Sequence, residues 1–260
     1  MLDWNPQPPY TAEQLLQVIR ILRDPETGCP WDKVQTHASI RKNFLEETCE
    51  ALEAIDADDA DMLREELGDV LMQVGFHTQI EQEAGRFTWQ QVCDGVCRKL
   101  IDRHPHIFGG DTSIKDWDAL KNKEKGRLTL QDDLASVPQA LPALMRAEKI
   151  QKRASRAGMD YDSVADAFRD LRSEVDELED AVKNGTPEQR GLELGDLLFS
   201  AVNVSRFIGA DAEESLGLSC EKFVKRFAQV EKLARQRDID MKTAGIQKLD
   251  EIWQEIKKSY

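Results

Sequence analysis

Apolar residues recur along most of this chain at helical spacing, three or four apart, and the runs break at prolines, glycines and acidic clusters. Thr11-Ala12-Glu13-Gln14 has the form of a capping box, and Leu15, Leu16, Val18, Ile19 and Leu22 continue that helix until Pro25. After the loop Gly28-Cys29-Pro30-Trp31-Asp32, Thr36 or Ser39 is expected to start a second helix whose Ile40, Phe44, Leu45 and Leu52 face the core. A third runs from about Asp61 to Glu83 and ends before Gly85. Further helices are expected over 88–103, 117–125 and 144–156, in a hairpin spanning 163–207, and over 212–236 and 243–257. Periodicity fails between Gly126 and Pro142, and no stretch alternates as a strand would. The expected class is all-α, with two tandem helical units at 1–130 and 143–260 joined by a linker at 131–142.

Acidic positions interrupt this pattern in a repeated way. Glu47 and Glu50 are three apart, as are Glu66 and Asp69, so each pair lies on one face of its own helix. Both sets are symmetric about position 58, within the polar break Ala57-Asp58-Asp59, so an antiparallel hairpin turning there brings all four carboxylates together. Glu174, Glu177, Glu193 and Asp196 repeat the spacing with every number raised by 127, around the turn Asn184-Gly185-Thr186-Pro187. Leu67-Gly68-Asp69 and Leu194-Gly195-Asp196 match as well, and the glycine is expected to let the helices approach closely beside the carboxylates. A lone acidic hairpin is ordinarily a solvated face, but two copies at one spacing read as sites. Four converging carboxylates repel unless a cation sits among them.

The repeat extends to cations and tryptophans. Lys99 and Arg103 in the first half correspond to Lys222 and Arg226 in the second, and Trp117 and Lys121 to Trp253 and Lys257. Spacing of four puts each pair on one helix face.

Composition narrows the function further. A net charge of −14 argues against nonspecific binding of nucleic acid or anionic membrane, which needs clustered positive charge. An anionic small substrate remains open where a metal and a few basic side chains invert the local field. The N-terminal residues carry no basic region followed by an apolar stretch, and no apolar run reaches the roughly 18 residues of a membrane span. Five cysteines without a C-x-x-C pair point to reduced thiols and a cytoplasmic location. There is no Walker-type glycine loop.

The doubled pattern of E-E-x-x-E, a turn and E-x-x-D, together with Gly28-Cys29-Pro30-Trp31-Asp32-Lys33-Val34-Gln35-Thr36-His37-Ala38-Ser39-Ile40, resembles the MazG-type nucleoside triphosphate pyrophosphohydrolases over nearly the whole chain. The resemblance implies an all-α, usually dimeric protein that hydrolyses nucleoside triphosphates to monophosphate and pyrophosphate with Mg²⁺, Mn²⁺ being a substitute. It implies metal ligands at Glu174, Glu177, Glu193 and Asp196, phosphate contacts from Lys222 and Arg226, and Trp253 and Lys257 near the nucleotide. Glu47, Glu50, Glu66 and Asp69 form a second candidate metal site. One departure is plain: the first half reads Glu46-Glu47-x-x-Glu50, whereas the second reads Ser173-Glu174-x-x-Glu177. If that first glutamate were the base, the second site would be impaired. Against this, His104-Pro105-His106 breaks the first-half helix just after Arg103, so the second half is read as the catalytic one and the first as structural or regulatory.

Other readings fit less well. A di-iron bundle needs Glu-x-x-His pairs, and the third positions here are Glu50, Asp69, Glu177 and Asp196. Zinc on Cys93, Cys97, His104 and His106 would need ligands divided by Pro105. The alternative from another class is a non-catalytic acidic helical adaptor with vestigial carboxylates.

Overall fold

The computed structural model describes residues 6–109 and 129–258. The chain divides into two compact units, residues 1–117 and 118–260. The described residues are helical with no strand, as the periodicity predicts. The expected helix over 117–125, with Trp117 and Lys121, lies outside the described residues.

The first unit contains α1 (Ala12–Leu22), α2 (Arg41–Asp56), α3 (Ala60–Glu83), α4 (Trp89–Arg103) and the single turn α5 (Pro105–Phe108). The Thr11/Gln14 capping box is present at the start of α1. Helix α2 starts at Arg41, later than expected. Thr36 and Ser39 instead cap one another's backbone N–H groups in a turn just before it, at 3.2 and 2.9 Å. Two helices meet at the turn around Asp58, which takes a left-handed backbone conformation at φ 52°.

Burial in this hairpin differs from the sequence expectation. Ile40 is buried, but Phe44, Leu45 and Leu52 are 38%, 65% and 54% exposed. The buried positions of α2 are Ala51 and Ala54, so α2 and α3 meet along an alanine seam and the larger apolar side chains stand outside it. A core of Ile19, Ile40 and Phe76, flanked by Leu15, Met72 and Ile80, joins α1 to α3. Arg23 closes its edge: the buried guanidinium pairs with both oxygens of Glu83 at 3.0 and 2.8 Å and donates to the Asp32 and Gln35 carbonyls. In the loop thus held, a Cβ on Gly28 would lie 2.4 Å from the Asp24 carbonyl oxygen, which no larger residue tolerates.

The second unit contains α6 (Leu130–Ala135), α7 (Ala143–Arg156), α8 (Val164–Asn184), α9 (Pro187–Phe207), α10 (Ala212–Gln236) and α11 (Ile246–Lys258). Helix α6 falls where the periodicity fails, and is specified locally by a Thr129/Asp132 capping box. It is tied to α7, because Arg153 hydrogen-bonds the Asp133 carbonyl and the Ser136 hydroxyl. The second hairpin turns through Gly185 and Thr186, whose side chain caps α9 with Gln189. Val230, Ala234 and Ile252 form a second core between α10 and α11, with Trp253 packed against it.

Candidate metal centre

Both hairpins gather their acids. In the first, one oxygen each of Glu47, Glu66 and Asp69 lies within 4.8 Å of the others, and in the second the same holds for Glu174, Glu177 and Glu193. Glu50 and Asp196 complete the quartets electrostatically: Glu50 acts on Glu47 and Glu66, and Asp196 on Glu174. The antiparallel hairpin expected from the symmetric acid spacing is therefore present twice, with three of its four acids in close convergence each time.

The local field shows what these groups lack. Burial and then the charges of Asp69 and Glu50 push the Glu47 carboxyl above its ordinary range, and a hydrogen bond with Gln73 only partly offsets them. Burial, Glu50 and Asp69 push Glu66 the same way. Burial raises Glu174 as well, followed by Glu177, Asp170, Asp196 and Glu193. Each is a carboxylate surrounded mainly by other carboxylates, which is the arrangement a hard divalent cation relieves. The donor set is all oxygen, as Mg²⁺ prefers, so these residues fit that ion.

Three features escaped the motif. Gln73 lies four residues beyond Asp69 and binds Glu47. Ser200, four beyond Asp196, donates its hydroxyl hydrogen bond to Asp170, itself four residues before Glu174. Tyr161 is hydrogen-bonded to Asp170, and burial together with that acid pushes its hydroxyl up to about 12. Spacing of four from known site residues was the available signal for Gln73, Ser200 and Asp170; nothing local marked Tyr161. The layers beyond the quartets also differ. In the first unit His37 stacks on His77 with ring centroids 5.0 Å apart and meets Glu81, which pairs with Arg86. Positions 127 residues later hold Val164 for His37 and Val204 for His77.

The serine at 173 removes less than the motif implies. Its first-half counterpart Glu46 pairs with Lys42 at 2.8 Å on the exposed side of α2, outside the three acids that converge. Ser173 hydrogen-bonds Glu177 at 3.1 Å and so supports a quartet member. Gly68 and Gly195 do not mark a close helix approach: a Cβ on either would meet nothing within 4 Å, because both face away from the seam. Lys222 and Arg226 share the unbroken α10, while α4 stops at Arg103 before Pro105. The groups acting most strongly on Glu174 are all acidic and do not include either cation. Trp253 packs against Phe223 with ring centroids 5.2 Å apart, and Lys257 is exposed on the same helix. The His104 and His106 rings lie 5.6 Å apart, but with Cys93 and Cys97 they form no metal-holding group; among the described residues those groups are the two carboxylate clusters.

Two helical hairpins, each gathering three carboxylates with a fourth acting on them, define an all-α protein with a duplicated acidic site. The MazG nucleotide pyrophosphohydrolase domain model matches the chain twice, at residues 35–108 and 163–231, and the chain belongs to that family. It is 40% identical over 254 residues to the nucleoside triphosphate pyrophosphohydrolase of Escherichia coli K12, covering 95% of this chain and 97% of that one. It is 41% identical over 247 residues to the nucleoside triphosphate pyrophosphohydrolase/pyrophosphatase MazG of Thermotoga maritima, covering 94% and 95%. The Bacillus subtilis protein YabN is 39% identical over 270 residues, which span 97% of this chain and 54% of YabN.

Proposed function

We propose that the second unit carries out the reaction of this chain, hydrolysis of nucleoside triphosphates to the monophosphate and pyrophosphate, with Mg²⁺ held by Glu174, Glu177, Glu193 and Asp196. The observation that carries this reading is the convergence of three of these acids within 4.8 Å with the fourth acting on them, in a chain matched along nearly its full length by relatives named for that activity. An ion held by these four residues would supply positive charge that polarises the phosphates. Ser173 orients Glu177, and Ser200 and Tyr161 hold Asp170, the acid one helical turn before Glu174. Lys222 and Arg226 stabilise charge on the departing pyrophosphate, helped by Lys257, while Trp253 fixes α11 against α10 through Phe223. Water is split across the α–β phosphoanhydride bond.

The first unit serves as a structural or regulatory copy, since α4 is interrupted beyond Arg103 where α10 runs on past Arg226. The chain works as a homodimer in the cytoplasm. Leu45, Leu52, Ile55 and Leu67 stand exposed on the first hairpin, as Leu192, Leu194 and Leu198 do on the second, which favours further helix packing. All five cysteines are free, and among the described residues no helix is long and apolar enough to cross a membrane. A product assay tests the reaction: monophosphate plus pyrophosphate is expected, and diphosphate plus phosphate would mean that a different bond is cut.

A further inference from the structure

The segment 28–40, which leads into α2, is held to the first unit by two polar clips. Arg23 makes one, through the Asp32 and Gln35 carbonyls and Glu83. His37 makes the other: its Nδ1 lies 2.7 Å from His77 Nδ1 and its Nε2 2.5 Å from Glu81 Oε1, both on α3. Proton counting fixes the state of this second clip. A carboxylate only accepts, so His37 Nε2 carries a proton. Glu81 stays ionised, because hydrogen bonds from Arg86, at 2.6 Å each, outweigh burial and hold its carboxyl below the ordinary range, with that from His37 added to them. Between the two Nδ1 atoms one donates and the other accepts, so the ring pair holds two or three N–H groups and a net charge of zero or one. A fourth proton would set N–H against N–H between rings stacked 5.0 Å apart and leave both charged.

The surroundings oppose that fourth proton without shielding the pair from it. From α2 the Phe44 ring covers His77, with centroids 5.5 Å apart, and brings no charge. From α1 comes Arg23, already engaged with Glu83, while Glu81 and Arg86 are the charged groups beside His37. The His37 side chain is 41% exposed, so protons reach the pair from solvent. We propose that His37 and His77 form a pH-sensitive clasp: double protonation parts the rings and frees the turn at 36–40 from α3, while Arg23 keeps its own clip. Burial and then the charge on His37 push His77 below its ordinary value of 6.5. The native protein therefore binds fewer protons there than the unfolded chain, and the clasp's contribution, present above about 6.5, is lost as pH falls below it. The device belongs to the first unit, since Val164 and Val204 stand at the repeat positions and cannot titrate. Opening it loosens the lead into α2, the helix that carries Glu47 and Glu50.

The chain has four histidines, so imidazole ¹⁵N NMR of the full-length protein can follow each ring. On acidification from about pH 7.5 to about pH 5, His37 Nε2 should stay protonated and the two rings should titrate in coupled steps, the second below the ordinary histidine value. Independent transitions of both rings at that value would overturn the clasp. Hydrogen exchange over the same range, corrected for its intrinsic pH dependence, reads the turn itself through the Ser39 and Ile40 amides, which bond the Thr36 carbonyl. Their opening should rise by up to about tenfold per pH unit, the limit for one proton taken up on opening. Peptides from α10, which contains no histidine, should show no such rise. His77→Asn keeps a hydrogen-bonding group but cannot titrate, and it should abolish the effect at 39 and 40. No rise in the wild type, or an equal rise in the variant, would overturn the proposal, and the wild-type titration decides it even where the variant fails to fold.

Discussion

Glu193→Gln and Asp196→Asn separate metal binding from packing, because both keep size and hydrogen-bonding capacity while removing one negative charge. Without metal, the wild-type quartet is under repulsion. With carboxylate oxygens within 4.8 Å and open to water, each pair costs about 1 kcal/mol at the solvent-like end of the Coulomb scale, and less where salt screens it. Glu193→Gln relieves its two close pairs, with Glu174 and Glu177, and should hold or raise the metal-free melting temperature by a few degrees, at about 2–4 °C per kcal/mol for a protein of this size; Asp196→Asn, outside that close set, should raise it less. The pH dependence has a definite sign. Glu174 is raised in the folded state, so the native protein binds more protons than the unfolded chain just above the ordinary carboxylate range. Metal-free stability therefore falls as pH rises through that window and recovers on mild acidification. Mg²⁺ should invert the order of the proteins. At a hundredfold excess over its dissociation constant the ion adds about 2.7 kcal/mol to a native state that binds it, and little to a variant that does not. Hydrolysis should drop by about a hundredfold or more in each variant. Scanning calorimetry with and without Mg²⁺ and a pyrophosphate-release assay read both effects. Wild-type turnover in either variant, or an equal Mg²⁺ shift in melting, would refute the assignment and return the hairpin to a solvated acidic face.

The matching changes in the first unit, Glu66→Gln and Asp69→Asn, should leave most turnover intact; losses equal to those of their counterparts would show that both quartets work. Light scattering at micromolar concentration should give about twice the 29.6 kDa chain mass, and a fully active monomer would contradict the dimer. Asp160 is held at about 2, first by its hydrogen bond from Arg206, so it stabilises the fold above the ordinary carboxylate value and that contribution disappears as pH falls towards 2. Urea midpoints should accordingly separate Asp160→Asn from wild type at pH 6 and converge as pH is lowered through that window.

Helix positions were legible because the chain's periodicity and caps act locally: the expected 212–236 is α10, and the Thr11 and Gln14 box forms as read. The quartets were legible because a helical hairpin has only one register that aligns acids symmetric about its turn. What sequence did not show was which face each helix buries. Phe44, Leu45 and Leu52 look like core residues by composition, but the seam is filled by Ala51 and Ala54, and small residues leave no strong periodic mark. Helix α6 was hidden for a related reason, since six residues are too few to display a period, and its capping box is the only local signal.

The alanine seam bears on which ion the quartets accept. Ala54 lies four residues beyond Glu50, and its repeat counterpart Ala181 lies four beyond Glu177; both are buried, at 0% and 8% exposure. Their methyl groups set how near the two helix axes come, and thereby the span across which opposing carboxylates must reach. Mg²⁺ demands ligands at about 2.0–2.1 Å in a strict octahedron, whereas Ca²⁺ accepts about 2.3–2.6 Å and a looser shell. A bulkier residue at either alanine would spread the helices and cost affinity for the smaller ion first. With the ion held as proposed, its selectivity is set one helical turn away from the carboxylates, in residues that carry no charge.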